Sequence, residues 1–160
     1  MSYDKKNKLH IVSVVAVIRN GDGKYLVLKR SPREIAYPSM WTLPGGKVEA
    51  DETLEEALAK ELKEEVGLIL KQSKYYLKDK AFVRPDGQTV KVISFLCDVE
   101  DFNQIKFDEN DFTEYKWVDV SELRQLKHVG IEEELLKADE LMDMGPELNK
   151  LATKSEKQAS

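Results

Sequence analysis

Five glutamates fall within Thr53-Leu54-Glu55-Glu56-Ala57-Leu58-Ala59-Lys60-Glu61-Leu62-Lys63-Glu64-Glu65-Val66-Gly67, and their spacing separates them into kinds. Wound as an α-helix with Leu54 at zero, Leu58 falls at about 40°, Leu62 at about 80° and Ala57 at about 300°, which defines an inward stripe. Glu65 at about 20° and Glu61 at about 340° lie inside that stripe, and Glu64 at about 280° lies on its border. Glu56, Lys60 and Lys63 fall on the far side. Glu56, and Glu55 at the stripe's other edge, are expected only to face water. A buried carboxylate without a partner costs several kcal/mol, and the inward face offers no basic residue to offset it. A divalent cation reached from a cleft would. Glu61, Glu64 and Glu65, at i, i+3 and i+4, supply hard oxygen ligands suited to Mg2+ or Mn2+, ions that keep waters and take phosphates as further ligands.

The approach to this helix is Pro44-Gly45-Gly46. Its side chains shield little, so a backbone carbonyl or amide can come close to an ion or a phosphate.

The elements that must carry these groups follow from period and turn signals. His10 to Ile18 is apolar and β-branched and reads as a buried strand. Asn20-Gly21-Asp22-Gly23 is a hairpin turn, and Tyr25 to Lys29 is the returning strand. Ser31 to Ser39, with two prolines, is a loop, and Met40 to Leu43 a short extended piece. The helix opens at Asp51 or Glu52, runs to about Val66 and is capped by Gly67. Leu68 to Leu77 and Lys80 to Arg84 are extended. Pro85-Asp86-Gly87 turns the chain into Thr89 to Val99, the clearest later strand. Asp101 to Asp111 is an acidic loop and Tyr115 to Val118 a strand. Ser121 caps a short helix with Glu122 in its first turn. Ile131 to Met144 is an amphipathic helix, and the tail after Leu151 is expected to fray. The order of elements predicts an α+β fold with a mixed or antiparallel sheet, in one domain spanning residues 1–160.

Composition narrows the function. A net charge of −5 argues against a nucleic-acid partner, while a metal ion lets an acidic site hold a small phosphorylated anion. No apolar run approaches membrane-spanning length, and Met1 to Lys8 lacks a secretory signal, so a cytoplasmic location is expected. Cys97, the one cysteine, sits in an apolar run and is expected to be a buried, inert thiol. His10 and His128 lack metal-ligand spacing and are expected to be structural.

Gly46, five residues, Glu52, seven residues, Lys60-Glu61-Leu62, one residue, Glu64-Glu65, one residue and Gly67-Leu68 together resemble the Nudix box of MutT-like hydrolases. The match runs over 23 residues. The flanks are similar too: the Gly-rich hairpin, Leu28-Lys29-Arg30, the entry Trp41-Thr42-Leu43-Pro44 and the late Tyr115-Lys116-Trp117-Val118. The pattern departs at Lys60, where the family has arginine. Lysine keeps the charge and loses the planar fork.

The resemblance implies a Nudix fold, a mixed β-sheet sandwiched between α-helices. It also implies a magnesium-dependent hydrolase cutting a diphosphate linkage in a nucleoside diphosphate joined to another group. On this reading Glu61, Glu64, Glu65 and the Gly45 carbonyl bind the metal, while Glu52 positions Lys60 and the ligands. Glu64 or Glu61 takes the proton from the attacking water, or a later loop carboxylate does, with the acidic stretch Asp108-Glu109-Asn110-Asp111 and Glu114 supplying candidates, Glu109 and Glu114 foremost. Arg30 matches a substrate-contacting position. Arg33 and Arg84 are candidate phosphate holders, and Tyr37 or Trp41 a candidate surface for a base. The expected substrate is a nucleoside triphosphate, plain or modified, released as monophosphate and diphosphate. The alternatives are a nucleotide sugar such as ADP-ribose, or nucleotide binding without turnover, which Lys60 favours. A homodimer, paired through a sheet or the terminal helix, is compatible with the sequence.

Overall fold

Strand β1, Ile11–Ile18, is the apolar β-branched run, and both of its edges are filled. On one side it pairs in parallel with β6, Thr89–Val99, from Ile11↔Val90 to Ile18↔Cys97. On the other it meets the three-residue strand β4, Gly45–Lys47, antiparallel. This computed structural model describes residues 9–144, so the expected frayed tail lies outside the described residues.

The filled edges explain one difference from expectation. The turn at Asn20–Gly23 forms as predicted: the Asn20 side-chain oxygen accepts the Asp22 and Lys24 N–H groups, both at 3.0 Å, and Gly23 takes φ 77°. Beyond a single bridge between Arg19 and Tyr25, however, the returning strand does not pair with β1. Strand β2, Tyr25–Arg30, joins a second sheet instead, between β3 (Trp41–Thr42) and β7 (Phe112–Val118). The sheets are therefore β4-β1-β6-β5 and β3-β2-β7.

Strand β5 is continuous from Leu70 to Val83, where two segments were expected. Three register irregularities, the last between Tyr76 and Lys78, absorb the polar interruption without ending the strand. Gly87, at φ 84°, closes the predicted second turn.

Helix α1 spans Leu54–Val66. It opens later than expected because Thr53 caps it: the Thr53 hydroxyl accepts the Glu56 N–H at 3.1 Å, and the Glu56 carboxylate accepts the Thr53 N–H at 3.4 Å. Glu56 thus has a structural role beyond facing water. So does Glu55, which accepts the Ser73 N–H at 3.1 Å. Gly67, left-handed at φ 68°, ends the helix by donating to the Lys63 carbonyl at 3.2 Å. Helix α2, Val120–Leu123, is capped by Asp119 rather than Ser121, since the Asp119 carboxylate accepts the Glu122 N–H at 2.7 Å. Helix α3 spans Glu132–Asp143.

The period of two along β2 divides the interior. Leu26 and Leu28 pack with Val14, Leu58, Leu62 and Phe112 under α1, whereas Tyr25 and Val27 pack with Val17, Trp41, Leu123 and Leu135 under α2 and α3. The strands thus form a middle layer between helices, the α+β arrangement expected. Polar ties fasten α3: buried Glu134 pairs with Lys80 of β5 at 2.7 Å, and the Tyr25 phenol donates to Asp139 at 2.5 Å. Burial pushes the Cys97 thiol up to about 12, which keeps it protonated. The His128 Nδ1 accepts the Gly130 and Ile131 N–H groups at 3.0 and 3.2 Å. Among the described residues no helix is long and apolar enough to cross a membrane.

Replacing Thr53 by alanine removes the α1 cap, and the expected loss is about 1 kcal/mol. Thermal unfolding followed by circular dichroism should show a fall in Tm of roughly 2 to 4 °C. An unchanged Tm would show that the cap contributes nothing.

Candidate active site

The site is built where the free edge of β4 meets the inward face of α1. Ala16 donates to the Pro44 carbonyl at 2.9 Å and Val48 to the Val12 carbonyl at 2.8 Å, so every second residue here bonds to β1. Gly45 is at the alternate parity, opposite Val15, and its N–H and C=O point off the sheet edge. The N–H donates to Glu65 Oε2 at 2.9 Å.

Glycines leave room on both sides of β4. A Cβ at position 45 would strike the Val14 carbonyl oxygen and stand 2.8 Å from the Val15 Cα. A Cβ at position 46 would run into the Glu61 carboxyl group, with both oxygens at 2.6 Å. Glu61 and Glu65 are partly buried, as the helical wheel predicts, and Glu64 is exposed. Burial raises the Glu65 carboxyl to about 8, with Glu61 and Asp111 adding to the rise; the Gly45 N–H and Arg30 oppose it. Burial, then the neighbouring Glu64, also raises Glu61.

A separate ion pair stands beside these groups. The Lys60 Nζ lies 3.0 Å from Glu52 and 4.0 Å from Glu49, and Glu52 also accepts the Glu49 N–H at 2.8 Å. That N–H and Lys60 hold Glu52 below the usual carboxylate range. Lys60 therefore ties the β4–α1 connection to the helix.

The loop before β7 is fastened to the far end of α1. Lys106 donates to the Val66 carbonyl at 3.0 Å and Asp108 to the Glu65 carbonyl at 2.9 Å. This brings Asp111 close enough to act on the Glu65 charge. The Asp111 carbonyl in turn accepts the Ser31 N–H at 2.8 Å, joining the loop to the end of β2. Arg30 lies there on the same β2 face as Leu26 and Leu28, the α1 side. Its Nε donates to the Ala36 carbonyl at 2.9 Å, and its Nη2 is 3.4 Å from Glu34.

The fold thus gathers Gly45, Glu52, Lys60, Glu61, Glu64, Glu65 and Arg30. Other candidates are placed elsewhere. Arg84 is at the β5–β6 turn, paired with Asp86 at 2.5 Å, on the sheet edge opposite β4. Trp41 is 5% exposed in the α3-side core, with the Lys116 Nζ 5.2 Å above its ring, so it offers no surface for a base. Glu114 shares its β7 face with Lys116 and Val118, away from α1. Glu109 and Arg33 are exposed on loops. Asp111 belongs to the acidic stretch expected to supply a loop carboxylate, within which Glu109 was the residue singled out. The acidic stretch 108–111 marked its neighbourhood, and only the backbone contacts of Lys106, Asp108 and Ser31 single it out.

Among the described residues no three His, Cys, Asp or Glu side chains converge into a ready-made metal cluster. The donors nevertheless suit a hydrated divalent cation, which takes one or two carboxylates and completes its shell with water and phosphate. Glu61 and Glu65 make no ion pair among the described residues, and the Gly45 carbonyl faces the same open edge.

Residues 9–138 match the model of the NUDIX domain. The chain belongs to the Nudix family. It is 32% identical over 119 residues to the nucleoside triphosphatase NudI of Klebsiella pneumoniae, covering 70% of this chain and 84% of that protein. It is 30% identical over 115 residues to the phosphatase NudJ of Escherichia coli, covering 72% of each. The crystal structure of the MutT protein from Methanosarcina mazei superposes with a TM-score of 0.69 at 30% identity, covering 83% of this chain and 95% of that one. The protein is a Nudix hydrolase, of a family that generally uses a divalent metal.

The Glu65 carboxyl has a definite signature in chelator-treated protein. Below about pH 4.5, its ordinary value, it is protonated in both folded and unfolded chains and contributes nothing. Between about 4.5 and 8 the folded chain holds a proton that the unfolded chain has lost, so stability falls as pH rises. The loss is on the order of a few kcal/mol by pH 8. Glu65→Gln should therefore flatten the descent of Tm from pH 5 to 8. An identical slope in the variant would place the burial cost elsewhere.

Proposed function

We propose that this Nudix hydrolase cleaves a nucleoside triphosphate to the monophosphate and diphosphate, using Mg2+, with Mn2+ as a substitute. The observation that carries the reading is the pair of partly buried carboxylates, Glu61 and Glu65, set against Gly45 and Gly46 without an ion-pair partner among the described residues. A nucleoside triphosphate is favoured because the likeness to NudI covers 84% of that protein.

Glu61, Glu64, Glu65 and the Gly45 carbonyl would hold the metal. When bound, it supplies charge neutralisation for the phosphate oxygens and acidifies water. The residues of the chain do the rest. Arg30, at the end of β2, supplies a guanidinium for the phosphates on the α1 side. A carboxylate accepts the proton of the water that attacks phosphorus; a P–O bond forms, and the anhydride P–O bond breaks with its electrons on the departing phosphate oxygen. Glu64, exposed on the helix rim, and Asp111, on the loop fastened to it, are the two groups for that proton. Among the loop carboxylates expected as candidates, Asp111 is preferred to Glu109 and Glu114. Lys60 and Glu52 keep the β4–α1 connection, and hence Gly45 and Gly46, in register with the helix. Such a substrate, and a thiol kept buried, fit the cytoplasm.

The test is a panel of nucleoside triphosphates, nucleotide sugars and dinucleoside polyphosphates with Mg2+, read by released diphosphate or monophosphate. Triphosphates should be cut best, and turnover should vanish with chelator and return with Mn2+. Glu61→Gln and Glu65→Gln should abolish turnover. Of Glu64→Gln and Asp111→Asn, the one that removes the proton acceptor should lower kcat by roughly 10²- to 10⁴-fold. Saturable nucleotide binding with no turnover across the panel would overturn the hydrolytic reading.

Lys60 gives a separate prediction. Lys60→Arg should keep kcat within about threefold of the parent, because the contact to Glu52 needs a cation and one donor. Lys60→Met should lower kcat and Tm together. A large gain from arginine would mean that the lysine is a functional loss.

A further inference from the structure

Single exposed apolar residues need no explanation. The loop between β2 and β3 carries two at alternate positions: Ile35 is fully exposed and Tyr37 is 57% exposed. Its backbone is also strained. Tyr37 and Ser39 hold φ 51° and 59°, the left-handed region that a Cβ disfavours. Such conformations persist where the surroundings over-determine them. Here the determinants lead back to the site. Arg30 holds the Ala36 carbonyl at 2.9 Å, Met40 donates to the Tyr37 carbonyl at 3.3 Å, and the Arg30 N–H donates to the Met40 carbonyl at 2.9 Å. Ser31, at the start of the loop, is tied to Asp111. The guanidinium proposed to meet phosphate and the backbone that carries an exposed aromatic ring are therefore tied together in one short loop. Trp41, the other aromatic candidate, is buried.

We infer that Tyr37 is the platform on which the nucleobase of the substrate stacks, with Ile35 as its apolar flank. The inference rests on the nucleotide reading above and adds the residue that selects for a base. Stacking on an aromatic face tolerates any base and contributes to binding rather than to the bond-breaking step. Tyr37 is thus a determinant of KM, acting far more on substrates that carry a base than on those that do not.

The experiment compares a nucleoside triphosphate with inorganic tripolyphosphate, used as a substrate or, where it is not cut, as a competitive inhibitor. The variants are Tyr37→Asn, which removes the ring while tolerating the left-handed backbone, and Tyr37→Phe, which keeps the ring. Tyr37→Asn should raise KM for the nucleotide roughly tenfold, with kcat within about twofold and the tripolyphosphate constant unchanged. Tyr37→Phe should match the parent. Equal losses on both ligands, or no loss on either, would overturn the platform. A parent protein that cuts no nucleoside polyphosphate would instead sink the hydrolytic reading. Calorimetric nucleotide affinities of the same variants would then decide the platform: unchanged affinity in Tyr37→Asn would overturn it, and a tenfold loss would support it.

Discussion

The hydrogen bond from the Gly45 N–H to the Glu65 carboxylate joins the sheet to the helix that carries the acidic groups. Around it β4 lies so close that a Cβ at 45 would strike the Val14 carbonyl oxygen of β1, and a Cβ at 46 would run into the Glu61 carboxyl group of α1. One backbone donor offsets only part of the cost of burying that carboxylate, and the Glu65 carboxyl still rises to about 8. The neighbourhood of Glu61 and Asp111 increases the cost. The fold thus gathers carboxyl groups that its own cations do not neutralise: burial favours the protonated form of Glu65, and an external cation that binds the ionised form is stabilising.

Charges are sorted around this centre. Lys60 is adjacent in sequence to Glu61, yet it turns to Glu52 and Glu49 on the β4–α1 connection. The inward glutamates remain without an ion pair among the described residues, and the ammonium braces the connection from outside. The capping box at Thr53 and the left-handed Gly67 set the two ends of α1, so the angular positions of Glu61, Glu64 and Glu65 are held at both limits of the helix. The amides of Lys106 and Asp108 then use carbonyls at the C-terminal end of α1 that the helix cannot satisfy itself. This bonding, required by the helix end, is also what delivers Asp111.

The division of the strands into two sheets serves the same arrangement. With β4 and β6 on the edges of β1, β2 is carried into a second sheet, where its last residue, Arg30, emerges on the α1 side. The loop that follows is gathered around the Arg30 guanidinium and N–H, so its conformation is linked to a residue facing the acidic centre.

Much of this was legible in the residues. The period of α1 places Glu61 and Glu65 inward, because helical geometry converts spacing directly into direction. Two Gly-containing turns, the strand β1 and the break at Gly67 were equally local, each set by the dihedral preferences of a few neighbouring residues. Interactions between distant segments were not. The N-caps went to Thr53 and Asp119 because their side chains reached an amide three residues on, a choice among several capable neighbours. Trp41, Arg84 and Glu114 had the right chemistry for a site, and the packing of two cores and the parity of β7 placed them outside it. Asp111 entered through backbone bonds to α1 that no side-chain pattern records. The sequence by itself determined which groups can carry charge and which way they face along a helix; only tertiary structure decided which of them meet, since the close approach of β4, the loop and the end of β2 depends on contacts far apart along the chain.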